Sequence, residues 1–538
     1  MIKHFVILSF LFHLIFAELE ICINDDECYI GSTLVTDKGN EYASFQGIRF
    51  AQPPVGKLRF KSPVPYPPQI GKFDVSGKSE IMCPQFTFSD DPTDGIIGQE
   101  DCLFLNIFVP LSVLNNTGSP LPVMFWIYGG SFVIGSNRVD DQGPQYFIDN
   151  GVIVVMANYR LGPLGFFAMG ENRGVPGNAG LWDQNEALRW VYQHVRNFGG
   201  DPKQVTIFGE SAGSLSVGLH FISPRSNGDH GYSKGLFQRA IMQSCSIIDP
   251  AWAPISFEKA LDYADRFLKV LGCDETDYPL ACVQSKDMEE ILYNSQLTDL
   301  TDNYIWMPVV DEQIAYKPFL PLYPQDALER GVFNKEKEVI IGSNRDEGIL
   351  FFLNELQDPT LWEDWETNFQ VKGPTYLFGI VDPSDITEND IEKANTLAEY
   401  YVGSADNVGE DNKQGMFDMF TDAGQLYGTY KMINYLVKHG VTVFEYILTY
   451  EGAYSLTQLF GVDSVGVCHG DDLFYIWQSD DFPLPIEDSV VRWSTFALRD
   501  FSWLLNHMTY LKLRKNTAMP PFGKTEQIHK MTTFFTQK

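Results

Sequence analysis

Between residues 123 and 447 the chain carries six short apolar runs, at 123–128, 152–158, 205–208, 240–243, 338–342 and 441–447. Each is nearly free of polar residues and rich in β-branched or aromatic side chains, as a strand covered on both faces must be. Helical patterns separate them. The clearest spans 182–198, with Leu188, Val191 and Val195 at helical spacing. Strands alternating with helices predict an α/β fold, a mostly parallel central sheet with helices on both faces. No repeat or linker breaks the pattern, so one domain is expected over 18–538. Two acid-rich, weakly periodic stretches, 273–302 and 382–413, read as surface helices and insertions.

Chemistry in such sheets gathers at the C-terminal ends of strands. Two G-x-S-x-G pentapeptides are present, around Ser211 and around Ser233. Only Ser211 follows a strand, Val205-Thr206-Ile207-Phe208, and precedes Leu215, Leu219 and Ile222 at helical spacing. That is the strand–turn–helix setting a nucleophilic serine needs. Ser233 follows a polar stretch and reads as a loop serine. A serine hydroxyl also needs a base to take its proton. Of nine histidines, His469 sits in a Gly-bounded loop, Gly466-Val467-Cys468-His469-Gly470, well downstream. His194 precedes Ser211, His220 and His230 leave little room for an intervening strand and acid, and His439 reads as a helix C-terminal cation. The acid should follow a strand end, and Asp346 and Glu347 are equally good there. Backbone N–H donors for an oxyanion are best supplied by Tyr128-Gly129-Gly130-Ser131-Phe132, directly after a strand.

Composition narrows the partners. The 538 residues are 44% hydrophobic, enough to bury a core, and the formal charge of −31 repels nucleic acid and anionic lipid surfaces. Residues 1–17 read as a secretory signal: its twelve-residue apolar run would span only about 18 Å, too short for a membrane. No later segment reads as a membrane span, and the C-terminus carries no retention or anchor signal. Export permits disulfides among the eight cysteines and glycosylation at Asn115. Cys83/Cys102 and Cys273/Cys282 would each close a modest loop, but spacing does not settle connectivity. Cys22 and Cys28 could pair. No Cys/His spacing resembles a zinc site, so no metal or cofactor is expected.

These residues resemble the type-B carboxylesterase (cholinesterase/carboxylesterase) family of the α/β-hydrolase fold. The likeness rests on Phe198-Gly199-Gly200-Asp201-Pro202 through Gly209-Glu210-Ser211-Ala212-Gly213, on Glu100-Asp101-Cys102-Leu103-Phe104-Leu105-Asn106-Ile107, on Asn158-Tyr159-Arg160-Leu161-Gly162 and on Pro176-Gly177-Asn178-Ala179-Gly180-Leu181-Trp182-Asp183-Gln184. The resemblance implies a catalytic triad of Ser211, Glu347 and His469, hydrolysing carboxylic esters through an acyl-enzyme. It implies oxyanion donors at Gly130, Ser131 and Ala212, provided Ser131, where many members have Gly, keeps φ below zero. It implies active-site support from Glu210 and Ser244, disulfides Cys83–Cys102 and Cys273–Cys282, and structural ion pairs Arg59–Glu100 and Arg160–Asp183. Tyr304, Trp306 and Met307 read either as acyl-pocket lining or as core. Cys245 and Cys468 read either as separate buried thiols or as a bridge pinning the His469 loop.

The expected substrates are small apolar esters. The loop 84–101 lacks the Trp with which the cholinesterase branch holds its cation, and Glu210 stands where the juvenile-hormone-esterase branch usually has Gln. A lipase remains an alternative within enzymes. The alternative from a different class is a catalytically inactive adhesion ectodomain. The oligomeric state is not legible.

Overall fold

The computed structural model describes residues 19–87, 95–114, 119–140, 142–228, 235–296, 305–479 and 514–515. The signal segment 1–17, Asn115, Ser233 and Tyr304 lie outside the described residues. Fourteen strands are described: β1 (Leu19–Cys22), β2 (Glu27–Val35), β3 (Glu41–Arg49), β4 (Gly71–Asp74), β5 (Gln85–Phe86), β6 (Ile96–Ile97), β7 (Phe104–Pro110), β8 (Leu121–Ile127), β9 (Ile153–Ala157), β10 (Gly200–Glu210), β11 (Arg239–Gln243), β12 (Glu338–Asn344), β13 (Thr442–Leu448) and β14 (Arg514–Lys515). All but β5 and β6 form one sheet, ordered β1-β2-β3-β7-β9-β8-β10-β11-β12-β13-β14, with β4 beside β2. From β9 to β13 every neighbouring pair is parallel. The six apolar runs are these six strands, and the fold is that of an α/β-hydrolase.

The antiparallel N-terminal part of the sheet was not anticipated. β3 is mostly buried yet contains Ser44 and Gln46. The Gln46 amide donates to Ser44 Oγ at 3.1 Å, and its carbonyl accepts from Ser79 N–H at 3.1 Å. Satisfied in this way, polar residues sit inside a sheet without the apolar signature of a buried strand.

Seven of the longer helices are α1 (Ala179–His194), α2 (Ala212–Ile222), α3 (Phe257–Val270), α4 (Trp362–Phe378), α5 (Glu388–Val402), α6 (Lys413–Thr421) and α7 (Tyr427–Lys438). α1 begins three residues before the expected helix, and its last turn tightens to a 3-10 turn at Val195–Phe198, stopped by left-handed Gly199. The acid-rich stretch 382–413 forms α5 and short turns. His439 caps α7, its ring nitrogen 3.0 Å from the Glu329 carbonyl.

The main core surrounds the sheet, with Trp126 packed on Phe208 and Trp477. A second apolar cluster, built on Phe352, Trp362, Trp365, Phe417 and Phe420, lies under the segment after β12 and includes Cys468. Cys245 belongs to the main core instead, and both cysteines are free, buried thiols, so the bridge between them is not formed. Disulfides join Cys22–Cys28, Cys83–Cys102 and Cys273–Cys282. Arg160 holds Asp183 through two 2.7 Å bonds, and Arg59 holds Glu100. Trp306 and Met307 lie in the main core; Trp306 packs on Phe267 and gives its indole N–H to the Ser295 carbonyl. Among the described residues no helix is long and apolar enough to cross a membrane.

Candidate active site

β10 ends at Glu210 and α2 starts at Ala212, leaving Ser211 alone on the turn. Ser211 takes φ 57° and ψ −123°, a conformation that side-chain-bearing residues rarely adopt. Its N–H is held by the Gln243 carbonyl at 2.9 Å, and its own carbonyl accepts from Leu215 N–H at 3.0 Å. The flanking glycines are required by contact: a Cβ on Gly209 would meet the Ile127 carbonyl oxygen at 2.5 Å, and one on Gly213 at 2.0 Å. Only with both absent can the turn lie this close to the end of β8.

The glycine turn after β8 lies directly against this elbow. A Cβ on Gly129 would come 2.7 Å from the Glu210 carbonyl oxygen and 3.0 Å from Ser211 Cβ. Gly130 has φ 97°, where a Cβ would clash with the Ile134 carbonyl oxygen at 2.3 Å. Ser131 has φ 54° and Phe132 φ 62°. The expectation that Ser131 keeps φ below zero is therefore corrected. The turn continues through the left-handed region that glycine enters without cost, and Ser131 carries strain of about 1 kcal/mol there. The N–H groups of Gly130, Ser131 and Ala212 donate no hydrogen bond among the described residues.

β12 runs out into Arg345-Asp346-Glu347, and the two acids part company. Glu347, fully buried, accepts from Asn344 N–H through Oε1 at 2.6 Å and meets His469 Nδ1 through Oε2 at 2.7 Å. Asp346 turns to the histidine loop instead: its Oδ2 accepts from Val467 N–H at 2.8 Å, and its own N–H donates to the Val467 carbonyl at 2.9 Å. Asn344 Nδ2 donates to the Cys468 carbonyl at 2.8 Å. Asp471 completes the clamp, accepting from Cys468 N–H at 2.8 Å and Leu456 N–H at 2.7 Å. One loop thus carries the imidazole's partner and the anchor of the imidazole's backbone. Asp471 and Asn344 had no recognisable signal in the sequence.

On its other edge His469 Nε2 lies 3.1 Å from Glu210 Oε1. Ser211 Oγ makes no hydrogen bond among the described residues. Asp472, whose Oδ2 accepts from Gln243 Nε2 at 2.8 Å and Tyr446 OH at 2.9 Å, adds a further buried carboxylate. Burial pulls the His469 pKa down, but the Glu210 and Glu347 carboxylates outweigh it and hold the imidazole well above its ordinary value. Burial also raises the Glu210 carboxyl, with His469 opposing. Ser244, expected as support, has φ 58° and gives its N–H to Gly342 of β12 at 2.8 Å, joining the ends of β11 and β12.

The carboxylesterase family model matches residues 30–487. The chain belongs to the carboxylesterase family. Among curated relatives it is 33% identical over 510 residues to a juvenile hormone esterase of Tribolium castaneum, covering 87% of this chain and 82% of the relative. It is 34% identical to a carboxylic ester hydrolase of Bombus ignitus, covering 82% and 77%. It is 32% identical to esterase FE4 of Myzus persicae, covering 90% and 85%. As a member of this family, the chain is a carboxylic ester hydrolase.

Proposed function

We propose that this carboxylesterase is a secreted serine enzyme whose triad is Ser211, His469 and Glu347, acting on small apolar esters. The observation that carries the assignment is the 2.7 Å contact of His469 Nδ1 with buried Glu347, beside a Ser211 held at φ 57° on its turn. His469 Nε2 takes the proton of Ser211 Oγ as Oγ bonds to the ester carbonyl carbon. Glu347 fixes the tautomer with hydrogen on Nδ1 and stabilises the imidazolium. The N–H groups of Gly130, Ser131 and Ala212 receive the oxyanion. The leaving alkoxide takes the proton from Nε2, and water then cleaves the acyl-enzyme by the same route.

In the resting arrangement Nε2 lies 3.1 Å from Glu210 Oε1, a carboxylate that favours the protonated ring, so His469 serves as base only after that proton is lost. Three disulfides and an apolar leader support export. The loop 84–101 contains no Trp, and its Phe86 packs on Tyr293, 5.7 Å between ring centres, which favours apolar over cationic alcohols. The test is a fluorophosphonate label with peptide mapping, run beside a substrate panel. Label on Ser211 is expected, and short p-nitrophenyl esters should outrun acetylthiocholine by at least about tenfold, the value of a lost cation–π contact. Absence of label on Ser211 contradicts the triad, and a thiocholine preference contradicts the substrate class.

A further inference from the structure

Between α6 and α7 the helix widens at Asp422–Leu426, the one π-helical stretch among the described residues. A π-turn inserts one residue into a helix and redirects the side chains around it, at a cost that is usually repaid at functional sites. Its position is set from the triad side. α6 packs on Gly348, where a Cβ would lie 2.2 Å from the Phe417 carbonyl oxygen. Gly348 N–H donates to Thr421 Oγ1 at 2.8 Å, so the helix is registered against the residue next to Glu347. One turn on, the π-turn presents Gln425, which is 1% exposed. Its Nε2 lies 3.5 Å from His469 Nδ1, and its buried Oε1 has no hydrogen-bond partner among the described residues.

That contact is too long for a strong hydrogen bond, and Nδ1 has its hydrogen committed to Glu347. What the amide contributes is a neutral dipole at this flank. We propose that Gln425 is a positioning residue for the general base: delivered by the π-turn, its amide packs beside the His469–Glu347 hydrogen bond and closes that flank to water and to further negative charge. This rests on the triad reading above. The groups facing the imidazole explain why neutrality matters. Glu347 faces it from the end of β12, Glu210 from the end of β10 and Asp472 from its own turn, while Asp346 and Asp471 bind the backbone of its loop. Between α6 and α7 the π-turn brings uncharged Gln425 to the ring; Asp422 of the same turn bonds to the Tyr401 hydroxyl at 2.8 Å instead.

The test compares the full-length protein with Gln425→Glu, which keeps the shape and adds charge, and Gln425→Met, which keeps the length and removes the dipole. Each is measured for p-nitrophenyl ester turnover from pH 5 to 10, for the rate of fluorophosphonate labelling of Ser211, and for its melting temperature. Gln425→Glu is expected to move the acid limb of kcat/KM upward by about one pH unit, slowing labelling at neutral pH by about tenfold. Gln425→Met is expected to lower kcat several-fold with KM unchanged. Profiles and labelling rates that superimpose on those of the parent protein in both variants overturn the proposal. If the glutamate variant does not fold, the methionine variant decides alone: an unchanged kcat and limb overturn it. A parent protein that takes no label at Ser211 refutes the triad reading itself, whereas labelling without sensitivity at residue 425 refutes only this inference.

Discussion

Ser211, His469 and Glu347 differ in what each tolerates. Ser211→Ala should abolish ester turnover while leaving the melting temperature close to that of the parent, since the strained turn is set by its neighbours. His469→Ala and Glu347→Gln should each lower kcat by up to about 10^4-fold, and the double change should cost far less than the product of the two. Asp346→Asn should cost less than about tenfold, because the remaining side-chain carbonyl can still accept from Val467 N–H. An Asp346→Asn effect larger than that of Glu347→Gln in steady-state kinetics would exchange their roles. The pH profile tests the surroundings of the ring. The pKa of His469 is raised, so its basic form appears only at higher pH, and kcat/KM should climb through a group above the about 6.5 of free imidazole. An acid limb at or below that value would mean that Glu210 does not hold the ring in solution.

At the level of elements, the site is a meeting of four strand ends and one helix. β8, β10, β12 and the loop after β13 present the glycine turn, the serine, the acid and the histidine, while α6 closes in from the second apolar cluster. The fit between α6 and the Glu347 loop depends on the absence of a side chain at Gly348. Gly348→Ala should therefore push the helix off, destabilise the fold by about 1–3 kcal/mol in denaturant titrations, and lower kcat by disturbing Glu347. An alanine variant with unchanged stability and kcat would show that the helix yields without cost. Legibility also varied by element. The parallel strands announced themselves because both faces are buried and the composition has to say so. β3 stayed hidden, because Ser44 and Gln46 are satisfied inside the sheet by each other and by Ser79.

For the whole molecule, charge and burial act together on stability. Burial raises the carboxyls of Asp311 to about 6, Asp422 to about 7 and Asp471 to about 7. A carboxyl raised in the folded state binds more protons there than in the unfolded chain, so its contribution is lost as pH rises through the folded pKa. His469, also raised, has the same sign. His220, pushed down to about 3 by burial, opposes only below the ordinary histidine range. The net charge of −31 at pH 7 adds self-repulsion on the alkaline side. The acids lose their contribution between about pH 4 and pH 7, and His469 carries the loss on from about pH 6.5 to about pH 9, so the melting temperature should fall across that upper window; a rise there would contradict the raised pKa of His469.

The sequence alone determined which segments form the parallel strands, the elbow around Ser211, the histidine loop and a short list of acids. These are properties of contiguous residues, where periodicity, strand–turn–helix order and glycine placement act within a few positions. Tertiary structure decided everything that depends on which chain segments meet. Glu347 rather than Asp346 reaches the imidazole, because the backbone at 346 is tied to Val467. Ser131 enters the left-handed region, because the turn must clear Ile134 and lie against Glu210. Cys245 and Cys468 stay apart, because they belong to different apolar clusters. Gln425 joins the site across 44 residues of chain, because an inserted helical residue and a glycine contact aim it there. None of these is local: each is a choice made by steric exclusion and hydrogen bonding between segments that no spacing along the chain records.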